Sequence, residues 1–457
     1  MTTMTTMTTT PSTTPRTPAA TPDVFAAAFE ALDADSPVHG LRERGYEHFQ
    51  ALGFPTLRNE EWRYTNVRSI ARTAFIPAHA EPTDAAIALV KRHMLRDTPA
   101  HKVVFINGRH RPELSEIGED DLRSGVRLES LATAVREDCS TLRSWLGQHA
   151  DMQRDAFAAL NTALLADGAF LYVPRDVSMT RPVHLLFIAT APDEPAMTHP
   201  RILIVAEAGS RATIVETYVS EGAAASLTNT VTEIVARDGA NVDHYKVVRE
   251  GPAAFHVSSL NIHQAKDTNV ASHCFSIGGR LVRNNLNAAL DGTGCHSTFN
   301  GLVVARGEQH VDNHLSIEHL KPNCNSWEYY KTILDEKARG VFTGRIYVAQ
   351  DAQKTDAKQT SMNLLLSDGA EVTAKPQLEI FANDVKCTHG ATIGQIDDDQ
   401  LFYLRSRGID PVVARSLLVY AFANETIREV RIDELRARLE DVVLGRLPQG
   451  RELQGGL

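Results

Sequence analysis

Cysteine is scarce, basic charge is in deficit and long apolar runs are missing, and each shortage closes off a class of protein. The 457 residues hold five cysteines: Cys139, Cys274, Cys295, Cys324 and Cys387. No two stand three apart, so there is no CxxC zinc or redox motif. Sparse, odd-numbered thiols suit a reducing compartment, which predicts a cytoplasmic protein. Lys and Arg number 47 against 57 Asp and Glu, a net charge of −10. Nucleic-acid faces are usually basic, so this balance speaks against such a partner, while leaving room for a local basic patch. The longest aliphatic runs, Leu185 to Ala189 and Ile202 to Ala206, have strand length. They fall far short of the roughly 18 residues of a membrane span.

Several enzyme signatures are also missing. The dipeptide GK does not occur, which removes the P-loop. HExxH, GxSxG and a GxGxxG after a strand are absent too, as is the HxH pair of many cupin-type metal sites. The chain is therefore not expected to be an ATPase, a zincin, an α/β-hydrolase or a dinucleotide enzyme.

What is present divides the chain into four texture zones. Residues 1–21 are a Thr/Pro-rich stretch, expected to be a disordered tail. Residues 22–168 form an N-terminal region read as largely helical. Thr21 and Pro22, then Ser36 and Pro37, resemble helix starts, and Gly53 stands where a helix should stop. KVVFINGRH (Lys102 to His110) reads as a strand and a glycine turn. Ala134 to Ala150 and Asp155 to Gly168 read as helices by apolar spacing.

From 169 to 396 short runs rich in Val, Ile, Thr, Phe and Tyr alternate with turns. Gly209 and Gly239 lie 30 apart, and Gly340 and Gly369 lie 29 apart. Recurrence without intervening helices predicts a mostly β solenoid core, with aliphatics buried between coils and polar groups outside. A sandwich or barrel is the competing reading. Residues 397–457 turn helical again. Asp397 to Asp399 precede LFYLRSRGI, and Asp410 with Pro411 caps PVVARSLLVYAFANETI. That middle helix is apolar on most faces, so it is buried inside this chain or under a partner.

One pair carries candidate chemistry. Cys387 and His389, two apart on an extended segment, face one side with Cα atoms about 6.6 Å apart. A thiolate and an imidazole there could share a metal, or the imidazole could activate the thiol. Two ligands are too few for a closed cluster, so the remainder would come from elsewhere. The plainer reading is a buried small side chain beside a satisfied histidine. The other histidines of the β region (His244, His256, His263, His273, His296, His310, His314, His319) read as solvated or hydrogen-bonded. His273 with Cys274, and Cys295 with His296, are sequential and point to opposite faces. Cys324 reads as an incidental thiol in a turn. RNEEWRYTNV (Arg58 to Val67) reads as a tryptophan packed over a domain edge with flanking ion pairs, or as an anion or base site.

EEWRYTN at 60–66, KCTHGATIGQID at 386–397 and QLFYLRSRGID at 400–410 resemble the SufB/SufD family of the SUF iron–sulfur cluster assembly machinery. The resemblance implies a right-handed parallel β-helix (solenoid) flanked by helical N- and C-terminal regions. It implies a non-ATPase subunit that pairs with a SufB-like paralogue and a SufC-like ABC ATPase. No cofactor would be held tightly by the isolated chain. Iron or an Fe–S cluster would pass transiently through the complex, and some family complexes also carry a reduced flavin. Cys387 and His389 match the family's Cys-x-His pair near the paralogue interface. Tyr403, Arg405, Arg407, Leu417 and Leu418 fall in the ATPase-docking segment. The SufD side of the family is favoured, with a SufB-like primary scaffold as the alternative. Ala370 stands near the assembly cysteine of SufB, and Gly390 where SufB has a glutamate. A homodimer is expected in isolation, through the uncapped solenoid end. Two rival classes remain at this stage. A polysaccharide-acting solenoid enzyme would need its carboxylates (Glu207, Glu216, Glu233, Asp243) in one cleft. A purely structural adaptor would need no Cys387 or His389.

Overall fold

The computed structural model describes residues 23–78, 81–138, 142–191 and 193–450. The Thr/Pro tail, the capping Thr21 and Cys139 lie outside the described residues.

From Gly168–Val173 to Lys386–Gly394, successive long strands fall alternately into two sheets, of 11 and 10 strands. Within each sheet these strands pair in parallel. In one sheet Asn241 pairs with Asn269, and His296, Asn325, Asp356 and Lys386 follow, 27 to 31 residues apart along the chain. A sandwich would pair sequence neighbours antiparallel; here each strand pairs with the strand one coil on. The core is therefore a β-solenoid of about eight coils. Gly209 and Gly239 are one coil apart in stacked turns, and each N–H donates to a carbonyl of the next coil, at 2.8 Å. Gly340 lies inside a ladder opposite Val372, so its spacing to Gly369 is not a coil repeat.

Stacking in register puts like beside like. Ile204, Ile234, Ile262, Ala288 and Ile317 form one inward ladder in the first sheet. Each buried isoleucine contributes about 1.5–3 kcal/mol. The expectation of polar groups outside fails in the middle coils. Glu216, His244, Lys246, Ser258 and Asn284 are all buried between the sheets. The fold tolerates this because neighbouring coils supply partners. Glu216 accepts from Thr232 at 2.9 Å and pairs with His244 at 3.1 Å, and Lys246 donates to Asn284 at 3.1 Å.

The outer faces are covered by the two ends of the chain. The helix Ala156–Ala163, capped by Asp155 through the N–H groups of Phe157 and Ala158, lays Phe157 and Leu160 on Leu227, Phe255 and Val257 of the first sheet. The N-terminal region also supplies strands. His101–Ile106 extends the second sheet beside Val183–Thr190, then turns back through Asn107 and Gly108, both at positive φ. Helix spacing fails over 134–150: the helix Leu131–Glu137 ends early, and residues 143–150 form turns. There the Gly147 and His149 N–H groups reach the buried Glu233 carboxylate, a tertiary bond that outweighs local periodicity.

The C-terminal helices Asp398–Ser406, Pro411–Ile427 and Asp433–Leu444 have the expected starts for the first two. Asp397 accepts from Asp399 N at 2.9 Å, and Asp410 from Val412 N at 2.8 Å. The middle helix is buried within this chain along one side, where Val419, Ala423 and Ile427 cover Tyr245, Phe275 and Leu302 of the second sheet.

Candidate functional site

The last coil is where the fold stops without closing. Strands Glu371–Ile380 and Lys386–Gly394 end their sheets, each paired on one side only among the described residues. Cys387 lies opposite Ala357 and His389 opposite Gln359. Ala357 and Gln359 are fully buried, on the inward face, so both candidate ligands point into the mouth of the solenoid. Cys387 is half-buried against the cluster of Ile346, Val348, Ala357 and Leu378. His389 is exposed, because no further coil covers it. Neither side chain is sealed inside.

Burial pushes the Cys387 thiol up; the Ala357 backbone opposes that shift and Asp356 adds to it. The resting group is thus a neutral thiol. It becomes a thiolate ligand only when a cation arrives to take the proton's place. Among the described residues no group of three or more His, Cys, Asp or Glu side chains could hold a metal. Thiol and imidazole suit iron in kind, yet this chain supplies only part of a coordination shell.

Behind His389 runs an inward column that sequence reasoning missed: Gln359 one coil back, and Glu328 one further. Gln359 Nε2 donates to Glu328 Oε2 at 2.6 Å, while Glu328 Oε1 has no partner. Burial raises the Glu328 carboxyl to about 8. Gly344 makes room for the column, since a Cβ there would meet Gln359 Nε2 at 2.2 Å. The signal was the coil repeat itself, which puts residues about 30 apart side by side.

The same repeat joins two cysteines that the spacing rule had treated as separate. Cys295 and Cys324 both donate to Gly292 O at 3.1 Å. The neighbouring Cys324 thiol, the largest influence, lowers the Cys295 thiol, while Cys324 itself is raised. Cys324 is buried and donates to backbone carbonyls.

Exposed apolar side chains concentrate in the C-terminal part of the chain. Of the eleven large hydrophobic side chains exposed among the described residues, six follow residue 379: Ile380, Phe381, Ile393, Phe402, Tyr403 and Val412. The helix Asp398–Ser406 buries no residue at all. Tyr403, Arg405 and Arg407 are exposed on or just after it, with the Arg407 guanidinium 5.1 Å from the Tyr403 ring centre. Leu417 and Leu418 sit half-buried on the next helix, Leu417 against the C-terminal core. The five docking candidates thus fall on two adjoining helices, three open and two partly covered.

Other candidates resolve into packing. Trp62 is buried, stacked on Phe157 at 5.3 Å with the Arg283 guanidinium 4.5 Å from its ring centre, and Glu60 pairs with Lys375 at 2.9 Å. His244 and His256 are buried and hydrogen-bonded to Glu216 and Glu250. Glu216 and Glu233 are fully buried and Asp243 pairs with Arg431 at 2.9 Å, so these three do not line an open cleft with Glu207.

The chain is thus a parallel solenoid that ends in an open thiol–imidazole pair and carries helices from both of its terminal regions. The chain belongs to the SufBD family. Residues 187–422 match the family model described as SUF system FeS cluster assembly, SufBD core domain, and residues 23–185 match the SufBD protein N-terminal region. It is 34% identical over 410 residues to the iron–sulfur cluster assembly protein SufD of Escherichia coli, covering 88% of this chain and 92% of that one. It is 33% identical over 417 residues to an iron–sulfur cluster assembly SufBD family protein of Synechocystis, covering 90% and 91%. The chloroplastic protein ABCI7 of Arabidopsis thaliana is 28% identical over 418 residues, covering 90% and 86%. This chain is thus a SufD-like iron–sulfur cluster assembly protein. No helix among the described residues is long and apolar enough to cross a membrane.

Proposed function

We propose that this chain is the non-ATPase, SufD-type subunit of a cytoplasmic SUF complex, working beside a SufB-like paralogue and a SufC-like ABC ATPase. The reading rests on one observation: Cys387 and His389 share the inward face of a last strand that pairs on one side only among the described residues. Unpaired strand edges of nine or ten residues invite another sheet. A paralogous solenoid end laid against them would extend both sheets and bring its own donors to the half-shell of Cys387 and His389. Iron or a nascent cluster is then cargo, held between chains. The exposed Tyr403, Arg405 and Arg407 with Leu417 and Leu418 form the docking surface for the ATPase, which supplies the nucleotide chemistry this sequence lacks.

Ala370 and Gly390 favour this role over that of primary scaffold. Neither can donate to a metal, although a Cβ at Gly390 would meet nothing within 4 Å. Co-expression with SufB-like and SufC-like chains, followed by native mass spectrometry, tests the partners. One copy of each paralogue with two of the ATPase is expected; no association overturns the reading. Anaerobic reconstitution of the isolated chain with iron and sulfide tests the role. A stable stoichiometric cluster on this chain alone would make it the scaffold. A double Cys387→Ser, His389→Ala variant should still assemble the complex yet lose cluster delivery under iron limitation. Full delivery would make the chain a structural adaptor.

A further inference from the structure

Despite the acidic total, one recess concentrates positive charge. It measures about 790 Å3 and opens where the helix Asp84–His93, the strand end Asn241–Arg249 and the helix Asp433–Leu444 meet. Six cationic side chains line it: Lys91, Arg92, Arg96, Arg249, Arg438 and Arg446. Three carboxylates stand against them. Glu250 is already committed inside the solenoid, accepting from Thr228 at 2.5 Å and pairing with His256 at 3.0 Å. Asp97 and Asp441 are exposed.

The arginines are held, not merely present. Arg438 donates to the carbonyls of His93 at 2.9 Å and Met94 at 2.6 Å, and pairs with the Glu434 carboxylate. Arg446 donates to the carbonyls of Val304 at 2.6 Å and of Ile277. Arg249, half-buried, makes no side-chain hydrogen bond or ion pair among the described residues. Its guanidinium is pushed down by burial and by Arg438 and Arg92. Burial, Arg306 and Arg249 lower Arg446 to about 10, and burial with Arg249, Arg92 and Arg438 lowers His93 to about 4. The fold therefore brings like charges together from three chain segments, and only Arg438 among them has its own carboxylate partner among the described residues, Glu434.

We propose that this recess binds a small molecule carrying a diphosphate, with the guanidinium fork of the unpaired Arg249 as its central contact and Arg446, Arg92 and Lys91 as surrounding positive charge. Guanidinium forks match phosphate oxygens two at a time. The volume lies within the range of small-molecule sites. Counting Glu434 on Arg438, six cations stand against four carboxylates, so the recess is net positive, as an anionic ligand requires. An acidic protein segment would need a stripe of cations along a surface, whereas these converge on one hollow.

Isothermal titration of the full chain at low salt with inorganic pyrophosphate is the test, with orthophosphate, adenosine and a glutamate-rich peptide as comparisons. Pyrophosphate should saturate a single site, more tightly than orthophosphate, and adenosine should give no signal. Arg249→Gln should weaken pyrophosphate tenfold or more, the loss of a charge-assisted bond. It should leave the melting temperature of the unliganded chain unchanged or higher, because only repulsion is removed. Arg123→Gln, on a surface helix where Arg123 pairs with Glu119, should change nothing. The proposal is overturned by absence of saturation at about 5 mM pyrophosphate, by equal loss in both variants, or by tighter binding of the acidic peptide.

Discussion

Glu328 offers the sharpest quantitative test, because the solenoid keeps it where a carboxylate is expensive. It is fully buried, with one hydrogen-bond donor from Gln359 and one oxygen without a partner. Its carboxyl is raised from 4.5 to about 8. Below pH 4.5 the group is protonated both folded and unfolded, and it costs nothing. As pH rises, the unfolded chain releases the proton while the folded chain keeps it. Stability then falls by about 1.4 kcal/mol per pH unit, until the folded group also ionises near pH 8. At pH 7 the accumulated penalty is about 3 kcal/mol. Glu328→Gln copies the shape of the protonated acid and does not ionise. Urea denaturation should find variant and parent alike near pH 4.5, and the variant more stable by about 3 kcal/mol at pH 7. A gap independent of pH, or a variant less stable at pH 7, would refute the reasoning. A stabilised variant that delivers clusters poorly would tie the column Glu328–Gln359–His389 to function, since a costly group is retained for what it does.

Glu233→Gln should act in the opposite sense. Both Glu233 and its partner Arg201 are completely buried, and Glu233 also accepts from Gly147 and His149. Breaking such a pair costs about 3–5 kcal/mol, read as a lower urea midpoint. Burial pushes the Glu233 carboxyl up, but Arg201 and the two N–H donors more than reverse it. Its contribution is therefore present above the ordinary carboxylate range and lost in acid, as a pH series of midpoints should show. Asp410→Ala removes the cap of the helix Pro411–Ile427 and should cost about 1 kcal/mol, with the loss seen in thermal melts. Phe402→Asp with Tyr403→Asp should leave the melting temperature unchanged, since that helix buries nothing, and weaken ATPase binding by about thirtyfold or more in surface plasmon resonance. The chain alone should dimerise through its open end; light scattering that finds only monomer at micromolar concentration would count against this.

Much of this protein is legible in the order of its residues. Strand texture, helix caps at Asp397 and Asp410, and the same-face placement of Cys387 and His389 follow from local periods and hydrogen bonding, which neighbours in sequence control. The motifs shared with the SufBD family carried the rest of the outline. What lies one coil away was not legible, because the repeat drifts between 26 and 32 residues, and only the ladder counts it out. Tertiary structure alone stacked Glu328 behind His389, set Cys295 beside Cys324, moved polar side chains into the core, and drew arginines from three segments into one recess. Contacts of that kind are fixed by register between distant strands. No local pattern encodes that register, and a slip of one residue would turn each of these side chains to the opposite face.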